Sequence, residues 1–280
     1  MQLRAPAKVN LSFRILHRRE DGFHEIETLM APVSLYDDIN IARLPAERGI
    51  EFTCDDSSLP LGEENLIVKA ARLFLSAVSM ATGLRIELRK GIPHGAGLGG
   101  GSSDAASTLL GLNELLGAAL SLAELAELGG RIGSDVPFFI FRSAAVCSGR
   151  GEKVRAARLQ RELPLLLLKP QFGVPTSWAY SRWTDSRELP HVGYKRQDFA
   201  GETFFNDLER PVFEKHLFLS HLKMWLLVQP ETGAALMSGS GSTVFAVLRE
   251  HSDADALAQR AKMEVDPGLW TSACATIAAA

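Results

Sequence analysis

Residues 93–106 read Pro-His-Gly-Ala-Gly-Leu-Gly-Gly-Gly-Ser-Ser-Asp-Ala-Ala, and this stretch decides the fold more than any other. Its glycines allow positive φ angles and a close approach of the backbone to a ligand. Residues 102–104, Ser-Ser-Asp, are cap-type residues before a helix-forming run over 105–116. The first turn of such a helix presents unpaired N–H groups and the positive end of the helix dipole to an anion. The stretch therefore predicts a phosphate-binding turn, typical of a nucleotide-dependent enzyme.

This stretch has three general interpretations: a dinucleotide-binding turn, a Walker-type loop and a purely structural turn. Gly95, Gly97 and Gly100 match the Gly-x-Gly-x-x-Gly spacing of dinucleotide-binding turns, which require an acidic residue about 20 positions later, after a second strand. That region, residues 112–124, is helical in pattern, so the ribose contact is missing. A Walker-type loop requires a lysine after its last glycine, and none follows Gly101. A purely structural turn would leave five glycines in seven residues as an unexplained loss of stability.

The composition is that of an ordinary globular protein with a small-molecule partner. The chain has 280 residues, of which 46% are apolar and 22% are charged, enough for one large domain or two of medium size. The net charge is −3, and Lys and Arg form no long runs. A nucleic-acid partner is therefore not expected.

Cysteine usage and hydropathy predict a cytoplasmic protein. The three cysteines, Cys54, Cys147 and Cys274, are widely spaced without a Cys-x-x-Cys pair, so neither a disulfide framework nor a zinc site is expected. Residues 1–8 lack an apolar signal core, and the apolar run over 163–168 is too short to cross a bilayer. We therefore expect no targeting segment and no membrane span.

Hydrophobic periodicity predicts a group of strands before the helices. Residues 7–16 alternate, with Val9 and Leu11 on one face and Lys8 and Asn10 on the other. Further strands are predicted over 30–34, 38–42, 50–54, 84–90, 163–168 and 244–248, and helices over 65–78, 105–116, 122–129 and 213–222. This order predicts an α+β fold rather than a doubly wound sheet. A change of composition near residues 151–161 predicts two domains, 1–155 and 156–280, with a long surface loop over 171–197.

Phosphoryl transfer also needs a cation and a carboxylate near the phosphates, because positioning and electrostatics supply most of the rate. Lys8 on the polar face of the first predicted strand and Asp135 in the turn after Gly133 are the best candidates. Asp135 would accept the proton of an acceptor hydroxyl, and Lys8 would keep Asp135 ionised or polarise that hydroxyl. Taken alone, each residue has a more ordinary interpretation, as a solvated lysine and a turn aspartate.

The glycine-rich stretch resembles the ATP-binding signature of the GHMP kinases, the superfamily of galactokinase, homoserine kinase, mevalonate kinase and phosphomevalonate kinase. Residues 6–11, Pro-Ala-Lys-Val-Asn-Leu, and 133–139, Gly-Ser-Asp-Val-Pro-Phe-Phe, resemble segments that flank the active site in that superfamily. The resemblance implies ATP and Mg²⁺, and a two-domain α+β GHMP kinase fold with a ribosomal protein S5 domain 2-like N-terminal domain and a ferredoxin-like C-terminal domain. The ATP-binding residues it implies are Asn65, Pro93, His94, Gly95, Ala96, Gly97, Leu98, Gly99, Gly100, Gly101, Ser102 and Ser103.

Residues 19–26, Arg-Glu-Asp-Gly-Phe-His-Glu-Ile, narrow the resemblance to a branch whose acceptor is a cytidine diphosphate-linked methylerythritol. Homoserine and mevalonate kinases lack this segment. For that branch, the resemblance implies that Phe23 and Tyr180 sandwich the cytosine ring, with His24 hydrogen-bonded to its edge. It further implies that Asn10 contacts the methylerythritol end of the acceptor. The expected function is ATP-dependent phosphorylation of the acceptor's 2-hydroxyl in the non-mevalonate isoprenoid route.

Two departures from the branch pattern leave these expectations intact, and three alternatives stay open. Phe23 replaces a common tyrosine but keeps the stacking face, and Ser134 stands where an alanine often precedes the catalytic aspartate. The first alternative is a GHMP kinase for another alcohol, such as homoserine. The second is a non-catalytic nucleotide or sugar-phosphate sensor with the same fold. The third is a nicotinamide-dependent oxidoreductase, suggested by the Gly-x-Gly-x-x-Gly spacing.

Overall fold

Two β-sheets pack face to face in the computed structural model of the chain, which describes residues 1–277, and helices cover the outer face of each sheet. The strands are β1 (Gln2–Arg18), β2 (His24–Leu44), β3 (Ile50–Cys54), β4 (Gly83–Arg89), β5 (Ala145–Gly149), β6 (Lys153–Ala156), β7 (Pro164–Lys169), β8 (Gln197–Phe199), β9 (Glu202–Asn206), β10 (Thr232–Met237), β11 (Val244–Leu248) and β12 (Trp270–Ala275). The helices are α1 (Leu66–Ala77), α2 (Gly100–Leu116), α3 (Leu122–Gly130), α4 (Val136–Phe141), α5 (Thr176–Arg182), α6 (Glu209–Lys215), α7 (Leu217–Leu227) and α8 (Ala254–Glu264), with a short 3₁₀ turn at Ala46–Arg48.

The first sheet has the strand order β3-β4-β2-β1-β9-β8, with β5 and β6 attached through β2. The long strand β2 has two neighbours along one edge, because β4 pairs with residues 38–44 and β5 pairs with residues 26–30. β1 and β2 run antiparallel, whereas β9 joins β1 in parallel through Ser12–Phe205 and Phe13–Asn206. A segment from late in the chain therefore completes a sheet that is otherwise built from the first 156 residues.

The second sheet is antiparallel, with the strand order β10-β11-β7-β12. Helices α6 and α7 follow β7, and α8 connects β11 to β12. This βαββαβ arrangement is the ferredoxin-like unit, so the expected fold of the C-terminal half is confirmed. The boundary between residues 155 and 156 stays a prediction, and β8 and β9 cross back to the first sheet. No helix within residues 1–277 is long and apolar enough to cross a membrane.

Strand β7 shows how the layers are held together. Leu165 and Leu167 face the apolar core between the two sheets, while Leu166 and Leu168 face the core under α6, α7 and α8. Successive side chains of a strand point to opposite faces, so a strand covered on both sides becomes a continuous apolar run. A third core lies between the first sheet and helices α1 to α4.

Two predicted divisions between elements were wrong, and other elements were missed. The segments 30–34 and 38–42 form one strand, β2, because Asp37 does not turn the chain: its buried carboxylate accepts hydrogen bonds from the backbone N–H groups of Gly91 and Ile92. The predicted helix over 213–222 is two helices, α6 and α7, divided at His216. The strands β5, β6, β8, β9, β10 and β12 and the helices α4, α5 and α8 were not predicted, and α5 lies within the segment 171–197 that was predicted to be a loop.

Candidate active site

The glycine-rich stretch forms a turn that leads directly into α2. Helix α2 begins at Gly100, five residues earlier than predicted, because Gly99 takes a left-handed conformation with φ 72°. Ser102 and Ser103 therefore lie within the first turns of the helix and do not cap it. The first N–H groups of a helix have no partner within the helix, and here Gly100, Gly101 and Ser102 line a cavity of about 410 Å³. The turn thus has the geometry of an anion site.

A second glycine loop, residues 238–242 between β10 and β11, closes against the first. The Ser238 hydroxyl donates to the carbonyl oxygen of Gly97 over 3.0 Å, and the backbone N–H of Thr243 donates to Ala96 over 3.1 Å. Gly97 has φ +75°, and a Cβ atom there would collide with the backbone oxygen of Ser238. The two loops can therefore touch only because this position carries no side chain.

Lys8 and Asp135 meet at the floor of the cavity. Lys8 is buried on β1, and its Nζ donates to the Gly97 carbonyl oxygen (2.8 Å) and to Asn10 Oδ1 (2.5 Å). The Nζ atom also lies 4.0 Å from Oδ2 of Asp135, which precedes α4. Asn10 in turn donates through Nδ2 to the Thr28 hydroxyl over 2.8 Å, which fixes its amide. The sequence predicted the Lys8–Asp135 pair, and the structure brings the two groups together.

The ionisation of this cluster is set by burial and by the Asp135 charge. Desolvation lowers the pKa of Lys8 below its ordinary value, and the Asp135 carboxylate opposes part of that shift. Burial raises the pKa of the Cys147 thiol to about 12, and the same carboxylate adds to it. Cys147 is therefore a neutral, unreactive thiol at physiological pH.

A second cationic group, which the sequence did not reveal, also lines the cavity. Lys90 contacts both Asp37 (Nζ to Oδ2, 2.5 Å) and Asp104 (Nζ to Oδ2, 3.1 Å), and all three side chains are largely buried. Burial raises the pKa of the Asp104 carboxyl, and Asp37 raises it further, while Lys90 opposes the shift. Asp104 looked like a helix cap in the sequence, and its true partner, Lys90, lies 14 residues away along the chain.

The predicted ATP-binding residues line this cavity with one exception. Ser103 is fully buried, and its hydroxyl oxygen has no hydrogen-bond partner among the described residues. Asn65 lines the cavity and also caps α1, because its Oδ1 accepts from the Ile67 N–H while its Nδ2 donates to the Pro60 carbonyl oxygen, both over 2.9 Å. The other predicted residues on the cavity wall are Pro93, His94, Gly95, Ala96, Gly97, Leu98, Gly99, Gly100, Gly101 and Ser102.

A second cavity, of about 520 Å³, adjoins the first and contains the predicted base-binding residues. Phe23, His24 and Tyr180 all line it. The two cavities share four lining residues, among them Asp135 and Tyr180. The Asp135 carboxylate therefore lies on the wall shared by the second cavity, the candidate acceptor pocket, and the first, the candidate nucleotide cavity.

The aromatic groups of the second cavity are already packed against one another. The His24 ring stacks on Tyr180 with 5.3 Å between ring centroids and an interplanar angle of 27°. The His24 and Trp183 rings form a T-shaped pair with 6.0 Å between centroids. Phe23 is 53% exposed, and the Arg150 guanidinium lies 4.9 Å from its ring centroid. The structure therefore places His24 on the face of Tyr180, where the resemblance implied the cytosine ring.

Burial favours the neutral forms of His24 and Tyr180 in this pocket. Desolvation lowers the pKa of His24, and the neighbouring Arg18 lowers it further, so the imidazole is uncharged at neutral pH. Desolvation, followed by the charge of Asp135, raises the pKa of the Tyr180 hydroxyl. A neutral imidazole has one donor and one acceptor, which suits recognition of a base edge.

Sequence reasoning also missed several polar groups that line the two cavities. Arg150 and Thr176 contribute to both, and the Thr176 hydroxyl is 2.9 Å from the Ser240 hydroxyl in the second glycine loop. That loop was visible in the sequence as Ser-Gly-Ser-Gly-Ser, and its small polar residues before a strand were the available signal. Within residues 1–277, no group of three or more His, Cys, Asp or Glu side chains is arranged to hold a metal ion.

Family models match both halves of the chain. The GHMP kinases N terminal domain matches residues 65–143, and the GHMP kinases C terminal domain matches residues 201–264. The chain is 43% identical over 272 residues to a 4-diphosphocytidyl-2-C-methyl-D-erythritol kinase of Methylacidiphilum infernorum, covering 95% of this chain and 93% of that protein. It is 40% identical over 260 residues to the protein of the same name from Syntrophotalea carbinolica, covering 91% and 92%.

Solved structures agree with these matches. A crystal structure of 4-(cytidine 5'-diphospho)-2C-methyl-D-erythritol kinase is similar to 99% of this chain and 100% of its own, with a TM-score of 0.79 and 35% identity. Homoserine kinase from Cytophaga hutchinsonii is similar over 99% of this chain and 94% of its own, with a TM-score of 0.73 and 18% identity, which shows the shared fold alone. The chain belongs to the GHMP kinase superfamily and, within it, to the family of 4-diphosphocytidyl-2-C-methyl-D-erythritol kinases.

Proposed function

We propose that the protein transfers the γ-phosphate of ATP to the 2-hydroxyl of 4-diphosphocytidyl-2-C-methyl-D-erythritol, a step in the non-mevalonate route to isoprenoids. The observation that carries this proposal is the Lys8–Asp135 pair, which lies where the two cavities meet. One cavity offers free helix N–H groups for phosphates, and the other offers aromatic rings and a neutral imidazole for a base. The family membership supports the same reaction.

The chemical step follows from the positions of these groups. The first turn of α2 binds the phosphates of ATP through its N–H groups and the positive end of its dipole. Asp135 accepts the proton of the acceptor hydroxyl and aligns its oxygen with the γ-phosphorus. The Lys8 ammonium, held by Asn10 and the Gly97 carbonyl, stabilises negative charge on the transferred group. Because the transition state of phosphoryl transfer is loose, alignment contributes more than basicity.

Magnesium fits this cavity as a companion of ATP. Mg²⁺ keeps several waters and usually takes only one or two protein oxygens besides the substrate phosphates. Glu64 and Ser102 supply side-chain oxygens on the cavity wall, and we propose that they would hold the ion when ATP carries it in. The ion would offset the charge of the phosphates.

On the acceptor side, we propose that the cytosine ring binds between Phe23 and Tyr180. His24 now lies on the Tyr180 face, so the imidazole must turn aside to take the base edge. Asn10, next to Lys8, would contact the methylerythritol end. We expect this reaction in the cytoplasm, since a reducing compartment suits the three free cysteines.

A coupled ADP-release assay tests the proposal. The purified protein is supplied with ATP, Mg²⁺ and one of several alcohols: the cytidyl acceptor, homoserine, mevalonate or galactose. We expect kcat/KM for the cytidyl acceptor to exceed the others by at least about 100-fold, because only that acceptor fills the aromatic pocket. ATP binding without turnover on any acceptor would support a nucleotide sensor instead, and preference for homoserine would support the same-fold alternative. An absorbance change with a nicotinamide dinucleotide would favour the oxidoreductase.

A further inference from the structure

A third cavity, of about 350 Å³, lies on the opposite face of β1 from the candidate active site. Neighbouring residues of a strand point to opposite faces. Phe13 points toward Tyr180 and the candidate active site, with 6.2 Å between ring centroids, and the next residue, Arg14, lines the third cavity. The remaining lining residues are Trp183, Glu188, Tyr194, Arg196, Phe205, Asn206, Asp207 and Arg210.

Three guanidinium groups line this cavity, and much of their hydrogen-bonding capacity is unused within the described residues. The Cζ atoms of Arg14 and Arg196 lie 5.5 and 4.6 Å from the centroid of the Phe205 ring. Within residues 1–277, Arg196 makes no hydrogen bond or ion pair, and Arg14 has only a 4.0 Å contact with Glu27. Arg210 donates through Nε and one terminal nitrogen, which leaves its other terminal nitrogen free. Two guanidinium groups near the Phe205 ring, with donors that are not hydrogen-bonded, would be stabilised by an anionic acceptor.

The carboxylates of the cavity do not supply that acceptor. The Oδ2 atom of Asp207 accepts a hydrogen bond from the backbone N–H of Ile15 over 2.8 Å, which links the residue after β9 to β1. Glu188 is exposed and forms no ion pair among the described residues. Three arginines against two carboxylates leave the cavity with net positive charge. A forked guanidinium matches the oxygens of a phosphate better than any other cationic side chain does.

We propose that this cavity binds a small anion carrying a phosphate or diphosphate group, with any apolar or planar part of the molecule lying on Phe205. Arg14 and Arg196 would bracket the phosphate oxygens, and Arg210 would donate its free terminal nitrogen. The site is separate from the phosphate-binding turn at α2, which lines a different cavity. Its volume is within the ordinary range for small-molecule sites.

The walls of this cavity also support the candidate acceptor pocket. Trp183 forms a T-shaped ring pair with His24, and its carbonyl oxygen accepts a hydrogen bond from Arg210 over 2.7 Å. Asn206 donates through Nδ2 to the carbonyl oxygen of Gly239 over 2.7 Å, in the second glycine loop. An anion bound to Arg210 would therefore restrain Trp183 against His24 and oppose the turn of His24 that the base requires, so we expect weaker binding of the cytidyl acceptor. This coupling rests on the proposed function, whereas the anion site does not.

Calorimetric titration of the full chain with inorganic pyrophosphate at low salt tests the site. We expect Arg196→Ala and Arg14→Ala each to weaken pyrophosphate binding by about 10- to 100-fold, as for loss of a charge-assisted hydrogen bond. Arg131→Ala, at an exposed position after α3, is the matched control and should bind like the parent. Undetectable binding by the parent overturns the proposal. Equal affinity of the parent and the three variants also overturns it, because pyrophosphate would then be bound at α2.

The coupling has its own test, which uses the kinetics. At saturating ATP and Mg²⁺, pyrophosphate at a concentration that fills the site of the parent but not that of Arg196→Ala should raise KM for the cytidyl acceptor at least twofold in the parent and leave it unchanged in the variant, whose substituted residue lies outside the candidate catalytic groups. Equal responses of the two proteins overturn the coupling. Because the calorimetric experiment needs no turnover, failure of the proposed kinase activity and failure of the anion site give different results.

Discussion

Replacing Asp135 by asparagine isolates the chemistry of the candidate active site from its architecture. The two side chains have nearly the same shape, so the start of α4 and the walls of both cavities should be preserved. The substitution removes two things: the group that accepts the hydroxyl proton and the negative charge 4.0 Å from the Lys8 ammonium. Both losses should appear in kcat rather than in ATP affinity.

The expected size of the effect follows from that geometry. Two unit charges about 4 Å apart interact by about 1 kcal/mol in water and about 4 kcal/mol at an effective dielectric constant of 20. The Asp135 side chain is 37% exposed and therefore screened by water, which limits its support of Lys8 to about 1–2 kcal/mol. Loss of a general base adds a factor of about 10²–10⁴ in rate. We therefore expect kcat to fall by at least about 100-fold.

Steady-state kinetics with the cytidyl acceptor and direct ATP binding provide the measurement. ATP affinity should stay within about twofold of the parent, and Asp255→Asn, an exposed aspartate on α8, should leave both quantities unchanged. The alkaline limb of the rate profile should also move to lower pH, because the carboxylate raises the pKa of Lys8. Near-normal kcat would refute the role of Asp135, and a loss of ATP affinity as large as the loss of kcat would show that the substitution damaged the cavity instead.

Three further predictions follow from the same site. Phe23→Ala should raise KM for the cytidyl acceptor by about 5- to 100-fold and leave KM for ATP unchanged in steady-state assays, since base stacking contributes about 1–3 kcal/mol; equal changes in both constants would contradict this. Burial lowers the pKa of Lys8 below 10.5, so activity that depends on its ammonium should be lost as pH rises. A titration of kcat against pH should give a midpoint below 10.5 for this loss. A midpoint at or above 10.5 would contradict a role for the Lys8 ammonium. Gly97→Ala should lower the free energy of unfolding by about 1–2 kcal/mol in urea titrations, because φ is +75° at this position. It should also weaken ATP binding, because the added Cβ atom pushes Ser238 away. A urea midpoint and an ATP affinity equal to those of the parent would rule this out.

The elements that sequence reasoning placed well are those with a local signature. The strand over 50–54 and the helices over 65–78 and 122–129 agree with the structure to within a residue, because periodicity and capping residues are encoded within each segment. The glycine-rich stretch was recognisable for the same reason. The long strand β2 was divided in two at residues 35–37, where Asp37 is a residue type typical of turns.

The parts of the site that escaped prediction depend on contacts between distant segments. Lys90 and Asp37 are 53 positions apart in the chain, and the residues next to them in the sequence do not indicate that the two side chains pair. Helix α2 begins early because Gly99 can adopt a left-handed conformation beside Phe139, a packing detail that composition does not contain. Lys8 was selected from the polar face of the first predicted strand, and the resemblance of residues 6–11 to a family segment supported that choice.

The strand that crosses between the halves has a consequence for how this enzyme can be taken apart or recombined. β9 completes the first sheet beside β1, and Asn206 at its end holds the second glycine loop over Lys8. A fragment that stops at residue 155 would leave the edge of β1 uncovered and its backbone groups available to pair with other chains. The two halves are therefore poor modules for domain exchange or split reporters. A successful chimera must inherit β9 from the same parent as β1.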